Sequence, residues 1–231
     1  MSVLPPEVPG WLTEAQARRL RAAAERVPAG GSMVEIGSYR GRSTIVLAGA
    51  TDVIAIDPHA GNDRGPGEWQ SPESEGQRDH EQFLANLERA GVRERVRHVR
   101  KPSQDALGEL PGPFDAVYVD GAHRYVPALA DICAYGARVR PGGTLLIHDS
   151  FSSVGVTLAI VHALVPSPEW SYVGRDGSLS EYRRTPSPRV RNGARQLAQL
   201  PWFVRNLAIK LALTLRMRPL ARALGSEEWP Y

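Results

Sequence analysis

Short apolar runs alternate with longer amphipathic segments along the first 184 residues. The runs have the length and near-continuous hydrophobicity of buried parallel strands, and they occupy residues 32–36, 52–57, 96–99, 114–120 and 144–149. Segments with apolar residues at helical spacing separate them, at 43–50, 77–90, 125–139 and 154–164, with a further one at 13–27 that Thr13 is suited to cap. The pattern predicts an α/β fold.

A hairpin signal closes this alternation. Residues 170–173 and 179–182 flank a loop that contains Asp176-Gly177, a dipeptide typical of tight β-turns. Together with the five runs it predicts a doubly wound, Rossmann-like sheet of seven strands, mostly parallel, with a C-terminal antiparallel hairpin. Between residues 58 and 76 the chain is polar and rich in Gly and Pro. A loop of that length predicts either a lid with substrate contacts or a mobile segment.

The last part of the chain differs from the rest in charge. From Arg183 onward there are ten Lys and Arg against two Asp and Glu, whereas the net charge of the whole chain is only +3. We therefore predict a domain at 1–184 and a basic helical tail at 185–231. Apolar residues recur at helical spacing in this tail: Leu200, Phe203, Val204, Leu207, Leu211 and Leu215.

Three uses of the tail are open. It packs on its own domain or on a second subunit, which would make a homodimer, or it lies on an anionic membrane surface. Nucleic acid is the least favoured partner, because the domain itself is mildly acidic.

Composition and termini narrow the class of protein. The 231 residues contain one cysteine, Cys133, which excludes an intrachain disulfide and is consistent with a reducing compartment. The N-terminus has no signal-peptide pattern, and no apolar run is long enough to span a bilayer. We expect a cytoplasmic protein, with membrane association through the tail as an option.

The segment from Val34 to Thr44 carries the first chemical signal. It has the spacing E-x-G-x-x-x-G, with Glu35, Gly37 and Gly41 between the first strand and a helix. In the dinucleotide fingerprint a glycine stands where Glu35 is, and a carboxylate there would repel a pyrophosphate. Asp57, at the end of the second strand, is suited to a ribose. S-adenosylmethionine offers an ammonium, a sulfonium and a ribose without a phosphate.

A second signal lies at the ends of the fourth and fifth strands. Asp120 and Asp149 each follow an apolar run, and the carboxyl ends of such strands share the ligand edge of the sheet. Two carboxylates there predict a hard divalent cation between them. His123 is close enough to act as general base on a bound hydroxyl. His148 is open as a further ligand, a second base or a core residue.

From about residue 33 to 182 these motifs resemble the class I S-adenosylmethionine-dependent methyltransferases. Within that class the chain is similar to the metal-dependent sugar O-methyltransferases of the macrocin, mycinamicin and rhamnosyl type. The resemblance implies Mg²⁺ on Asp120 and Asp149, with His148 as a weaker candidate, and His123 as base. The predicted cofactor-binding residues are Glu35, Gly37, Ser38, Gly41, Ser43, Asp57, Ser103 and Asp120. Relatives often have a second acid beside the last aspartate, and here His148 and Ser150 flank Asp149.

The sequence therefore predicts an O-methyltransferase that acts on a hydroxyl of a sugar, an oligosaccharide or a glycosylated small molecule. A catechol or phenol acceptor is the alternative within the same mechanism. An NAD-dependent oxidoreductase fits the sheet and Asp57, but Glu35 argues against it. A non-enzymatic scaffold is the remaining class, and Asp120, His123 and Asp149 argue against that.

Overall fold

The computed structural model describes residues 3–61 and 73–226. Within them, seven strands form one sheet in the order β3-β2-β1-β4-β5-β7-β6. Strand β7 runs antiparallel to both of its neighbours, and the other pairings are parallel. The strands are β1 (Met33–Ile36), β2 (Val53–Ile56), β3 (Val96–Val99), β4 (Phe114–Val119), β5 (Val139–Ile147), β6 (Ser171–Asp176) and β7 (Leu179–Arg183). The predicted fold class and the C-terminal hairpin are confirmed.

Helices cover both faces of this sheet. Their bounds are α1 (Glu14–Glu25), α2 (Arg42–Ala48), α3 (Glu73–Arg89), α4 (Ser103–Ala106), α5 (Tyr125–Gly136), α6 (Val154–Ala163), α7 (Arg189–Leu197), α8 (Leu200–Thr214) and α9 (Arg218–Ala223). Thr13 caps α1 as predicted, and Gln16 completes a capping box with it.

The two faces of the sheet bury different residues, because successive strand side chains point to opposite sides. On one face, Val34 and Val117 pack in a cluster with residues of α5 and α6. On the other face, Met33 and Tyr118 pack with residues of α1, α2 and α3. Each central strand is covered on both sides, which explains its continuous hydrophobicity.

Two boundaries differ from the sequence-based expectation. Helix α3 begins at Glu73, before the predicted start at residue 77, and its first ten residues are polar and lack the apolar periodicity that would mark a helix. Strand β5 begins at Val139, where a turn was expected at 140–143. Gly142 and Gly143 exchange backbone hydrogen bonds with Arg184, which extends the strand pairing. Most of the predicted lid at 58–76 lies outside the described residues.

The tail packs against the domain. The Asn192 side chain on α7 accepts a hydrogen bond from the Tyr172 N–H (2.8 Å) and donates one to the Trp170 carbonyl (2.7 Å). On α8, Asn206, Ile209 and Ala212 are buried. No helix in the described part of the chain is both long and apolar enough to cross a bilayer.

Candidate active site

The turn after β1 brings the backbone close to the end of β4. Gly37 has a φ of 84°, and a Cβ built on it would lie 2.1 Å from the Asp120 carbonyl oxygen. Gly41, with a φ of 86°, immediately precedes α2. Glycine is required at Gly37 for both reasons, and a ligand can approach the backbone of this turn closely.

Asp57 fixes this turn from the end of β2. Its Oδ2 accepts hydrogen bonds from the Ser38 and Tyr39 N–H groups (3.0 and 2.8 Å), and its Oδ1 accepts one from the His59 N–H (2.8 Å). A carboxylate has further lone pairs to offer, and the side chain borders the cavity described below. Asp57 thus holds the turn and remains available to a ligand.

Glu35 is a fully buried acid on the central strand. Its two oxygens accept hydrogen bonds from the Ser43 and Thr44 hydroxyls at the start of α2, each at 2.5 Å. Burial is the main reason that the pKa of Glu35 is raised to about 8. Glu35 lies outside the cavity lining. It ties β1 to α2, and at neutral pH it does not present the negative charge that the sequence suggested for a cationic ligand.

A cavity of about 500 Å³ opens above the carboxyl ends of β1, β2 and β4. Of the predicted cofactor-binding residues, Glu35 and Gly41 do not line it, and six do: Gly37, Ser38, Ser43, Asp57, Ser103 and Asp120. His123 also lines it, whereas His148 and Asp149 do not. The volume is that of a site for a small molecule.

Ser103, the first residue of α4, lines the cavity and also connects α4 to α5. Pro102 occupies the cap position of α4, and the Ser103 hydroxyl donates to Asp131 on α5 (2.5 Å). The Gln104 amide donates to the same oxygen (2.7 Å). Asp131 also lines the cavity, and burial raises its pKa. No motif in the sequence pointed to Asp131, because it lies in the middle of helix α5.

Beside the cavity, two carboxylates and two imidazoles form a cluster. His123 Nε2 lies 3.1 Å from Asp149 Oδ2 and 4.0 Å from Asp120 Oδ1. His148 Nδ1 lies 3.2 Å from Asp120 Oδ1 and 3.6 Å from Asp149 Oδ2. The Tyr118 hydroxyl donates to Asp120 Oδ2 (2.7 Å). The strand ends therefore bring together all four residues that the sequence proposed.

The carboxylates and imidazoles of this cluster shift one another's pKa towards the charged forms. Burial alone would raise the pKa of Asp120, but the adjacent imidazoles His148 and His123 hold it well below its usual range. Burial alone would lower the pKa of His123, but the nearby carboxylates of Asp120 and Asp149 raise it to about 9. The pKa of His148 is raised by Asp120 and Asp149, against the effect of its burial.

The donor set fits a divalent cation. Asp120, His123 and Asp149 each offer a ligand atom, and these atoms all lie within 4.8 Å of one another. Two carboxylate groups are the ligands that Mg²⁺ and Mn²⁺ favour. His148 is fully enclosed, and its Nε2 has no hydrogen-bond partner among the described residues.

Tyr118 was missed by the sequence reading, although a signal existed. It precedes Asp120 by two positions on β4, and alternate residues of a strand point to the same face. Burial is the main reason that the pKa of its phenol is raised well above the usual value, so the phenol stays protonated and donates a hydrogen bond to Asp120.

Comparisons with known proteins bear on this site. A family model described as a methyltransferase domain matches residues 34–150, just over half of the chain. Among solved structures, cofactor-bound Rv0187 from MTB is 22% identical, with a TM-score of 0.58 over 78% of this chain and 85% of that one. The O-methyltransferase TomG from Streptomyces achromogenes, solved in complex with SAM, is 20% identical, with a TM-score of 0.56 over 78% and 83%. The O-methyltransferase NovP is 19% identical, with a TM-score of 0.58 over 76% and 83%. At these identities the structures establish the shared fold.

Proposed function

The chain belongs to the methyltransferase-domain family, and from that premise we propose that it transfers a methyl group from S-adenosylmethionine to a hydroxyl oxygen. The observation that carries the proposal is the Asp120–His123–Asp149 cluster at the wall of the cavity that Gly37 and Asp57 border. The two similar O-methyltransferases TomG and NovP, one of them solved with SAM, support the reaction class.

The methyl donor fits the cavity through its ribose and its amino-acid end. Asp57 would accept hydrogen bonds from the ribose hydroxyls with the lone pairs that the turn leaves unused. Gly37 and Ser38 would let the donor approach the backbone. Ser103 on α4 and Asp131 on α5 would contact the adenine of the donor. Bound in this way, the donor supplies an electrophilic sulfonium methyl group.

Asp120 and Asp149 would hold a divalent cation, Mg²⁺ by the chemistry of the donors. Such an ion lowers the pKa of a coordinated hydroxyl and fixes its position. Tyr118 orients Asp120 by its hydrogen bond, as outer partners of metal ligands do.

His123 is the general base of the proposal. Its side chain is 42% exposed and lines the cavity, so an acceptor can reach it. The carboxylates of Asp120 and Asp149 raise its pKa to about 9. A positive ion beside the carboxylates would lower that pKa and free the imidazole to accept a proton.

The reaction balances with these groups. The acceptor oxygen forms a bond to the methyl carbon while the carbon–sulfur bond breaks, so the donor leaves as a neutral sulfide. The hydroxyl proton passes to His123. The acceptor is a hydroxyl of a sugar or of a glycosylated small molecule, a substrate class that rests on the family resemblance, and phenols and catechols are the acceptors to compare with it.

Calorimetric titration tests the donor. We expect S-adenosylmethionine and S-adenosylhomocysteine to bind and NAD not to bind, and Asp57→Ala to weaken donor binding by about tenfold or more, since it removes charge-assisted hydrogen bonds. Tight binding of NAD without binding of S-adenosylmethionine would overturn the proposal.

Two substitutions separate the base from the metal ligands. His123→Ala is expected to lower the rate about 10²- to 10⁴-fold while leaving Mg²⁺ and donor affinity nearly unchanged. Asp149→Asn is expected to lower Mg²⁺ affinity, with activity partly restored by excess Mg²⁺. If His123→Ala abolishes Mg²⁺ binding, His123 is a ligand and not the base. Full activity in EDTA would remove the cation from the proposal.

A further inference from the structure

Helix α8 presents a second apolar face to solvent. Val204, Leu211 and Leu215 are 61%, 60% and 59% exposed, and their spacing of seven and four residues places them on one side of the helix. The opposite side, with Ile209 and Ala212, is buried against the protein. The helix is therefore already packed, and its exposed apolar side chains are not needed for that packing.

The apolar surface continues past the end of α8. Met217 and Leu220 are 47% and 44% exposed. We call Val204, Leu211, Leu215, Met217 and Leu220 the outer stripe. Single exposed apolar side chains are ordinary, but five along one stretch of chain mark a surface that meets something else.

Positive charge predominates around the outer stripe. Residues 185–231 contain eight Arg and Lys against two acids, Glu227 and Glu228. Arg216, Arg218 and Arg222 are exposed and lie among the apolar residues of the stripe. The binding partner must accordingly combine an apolar interior with a negatively charged surface.

We propose that the outer stripe and its arginines bind the surface of an anionic lipid bilayer. An amphipathic segment with Leu, Met and Val on one side and arginines beside them lies in the headgroup region, with the apolar side chains among the acyl chains. Each arginine near the surface adds attraction to anionic lipids. The helix lies on the bilayer and does not cross it.

A second copy of the chain is the rival occupant. A symmetric dimer through the outer stripe would bring Arg216, Arg218 and Arg222 of one copy towards the same residues of the other. Like charges at an interface are costly, and residues 185–231 of each copy carry a net charge of +6, since eight Arg and Lys stand against two Glu. Charge therefore favours the anionic bilayer.

Vesicle sedimentation with the full chain tests the proposal. The probes are vesicles of phosphatidylcholine alone and vesicles that mix it in equal amounts with phosphatidylglycerol. The protein is expected to sediment with the mixed vesicles and to stay in solution with phosphatidylcholine alone. Raising the salt concentration should weaken binding, because surface charges are screened.

Two pairs of substitutions test the two components. Leu211→Gln with Leu215→Gln should reduce binding about tenfold or more, by removing apolar contacts. Arg216→Gln with Arg218→Gln should reduce it about fivefold for each arginine. The matched controls are Leu158→Gln, at a leucine that is 51% exposed on α6, and Arg18→Gln with Arg78→Gln, at arginines whose side chains are 62% and 68% exposed. Both controls should bind like the unmodified chain.

Three outcomes would overturn the proposal. One is the absence of binding to the mixed vesicles at low salt. Another is binding that ignores the leucine substitutions, which would make it general attraction of a basic protein. The third is a dimer in analytical ultracentrifugation that the leucine substitutions dissociate, which would assign the outer stripe to a second copy.

Discussion

The stability of the fold depends on the protonation of one buried acid in the sheet, Glu35. Glu35 accepts hydrogen bonds from Ser43 and Thr44 and is fully enclosed. Its pKa is about 8 in the folded chain, against an ordinary value of 4.5 for a glutamate side chain. Between these values the folded state holds a proton that the unfolded state has released, so stability falls as pH rises through this window.

Glu35→Gln is expected to remove this dependence. Without an ionisable group at this position, the free energy of unfolding should fall less between about pH 5 and pH 8, by a margin on the order of a few kcal/mol. Urea unfolding at several pH values measures it, with Glu88→Gln at an exposed position as control. An unchanged pH slope would show that Glu35 is ionised in the fold.

Tyr118→Phe tests the partner of Asp120. The phenol that donates to Asp120 Oδ2 is lost, and the loss of such a partner typically costs 10- to 100-fold in metal affinity or activity. Mg²⁺ titration by calorimetry and the methyl-transfer rate measure it. Tyr182→Phe, at another buried tyrosine, is the control and should leave both unchanged. Equal effects of the two substitutions would point to general loosening of the core.

At the scale of residues, the sequence predicted the site residues that directly follow an apolar run. Asp57, Asp120 and Asp149 were found because the ends of parallel strands share one edge of the sheet. Tyr118 and Asp131 were missed, since one is hidden in a continuous apolar run and the other in a helix. The sequence also could not predict the direction of a side chain. Glu35 was expected to bind the cofactor, but it accepts hydrogen bonds from Ser43 and Thr44 and does not line the cavity.

At the scale of elements, helix α8 supports the turn that carries Asp149. The Asn206 amide donates to the Phe151 carbonyl (3.4 Å), and Lys210 Nζ donates to the Ser152 carbonyl (2.9 Å). Asp149 and Phe151 have φ values of 54° and 56°. Side chains rarely adopt this left-handed region without support from the surroundings, so α8 helps to keep Asp149 in place.

Asn206→Ala is expected to weaken this support. The buried Phe151 carbonyl loses a donor, at a cost of about 1–3 kcal/mol, and the methyl-transfer rate should fall while donor affinity is retained. Thr214→Ala removes a hydrogen bond at the other end of the same helix and should leave the rate unchanged. A rate unaffected by Asn206→Ala would separate α8 from the site.

The sequence predicted the start of a helix correctly where it contains a capping residue. Thr13 marked the start of α1. The start of α3 had no such signal, because ten polar residues carry no periodicity. The start of β5 was not predicted, because Pro141 and two glycines are typical of a turn. The strand forms there because Gly142 and Gly143 make backbone hydrogen bonds with Arg184, a residue distant in the sequence.

At the scale of the whole molecule, the predicted fold class and methyltransferase family are confirmed. Both could be predicted because apolar periodicity and glycine spacing are local properties that the sequence displays directly. The docking of the tail is not local. It depends on contacts such as those of Asn192 with Trp170 and Tyr172, which no periodicity in either segment predicts.

A chain that ends at Arg184 is therefore expected to be less stable. The Tyr172 N–H and the Trp170 carbonyl lose their side-chain partner, at about 1–3 kcal/mol for each group left unpaired. The melting temperature should fall by several degrees, since each kcal/mol corresponds to about 2–4 °C in a chain of this size. Calorimetry of the two chains measures it, with Asn192→Ala in the full chain as a partial version. Equal melting temperatures would make 1–184 an independent domain.

The hydrogen bonds from α8 to the Asp149 turn also set an order of assembly. The cavity is lined by residues from 9 to 131, so a chain emerging from the ribosome holds its whole lining before Asp149 is synthesised. The donors that steady the Asp149 turn, at 206 and 210, follow more than fifty residues later. The charged cluster can therefore reach its final geometry only after residues 206 and 210 have been synthesised, well after every residue that lines the cavity.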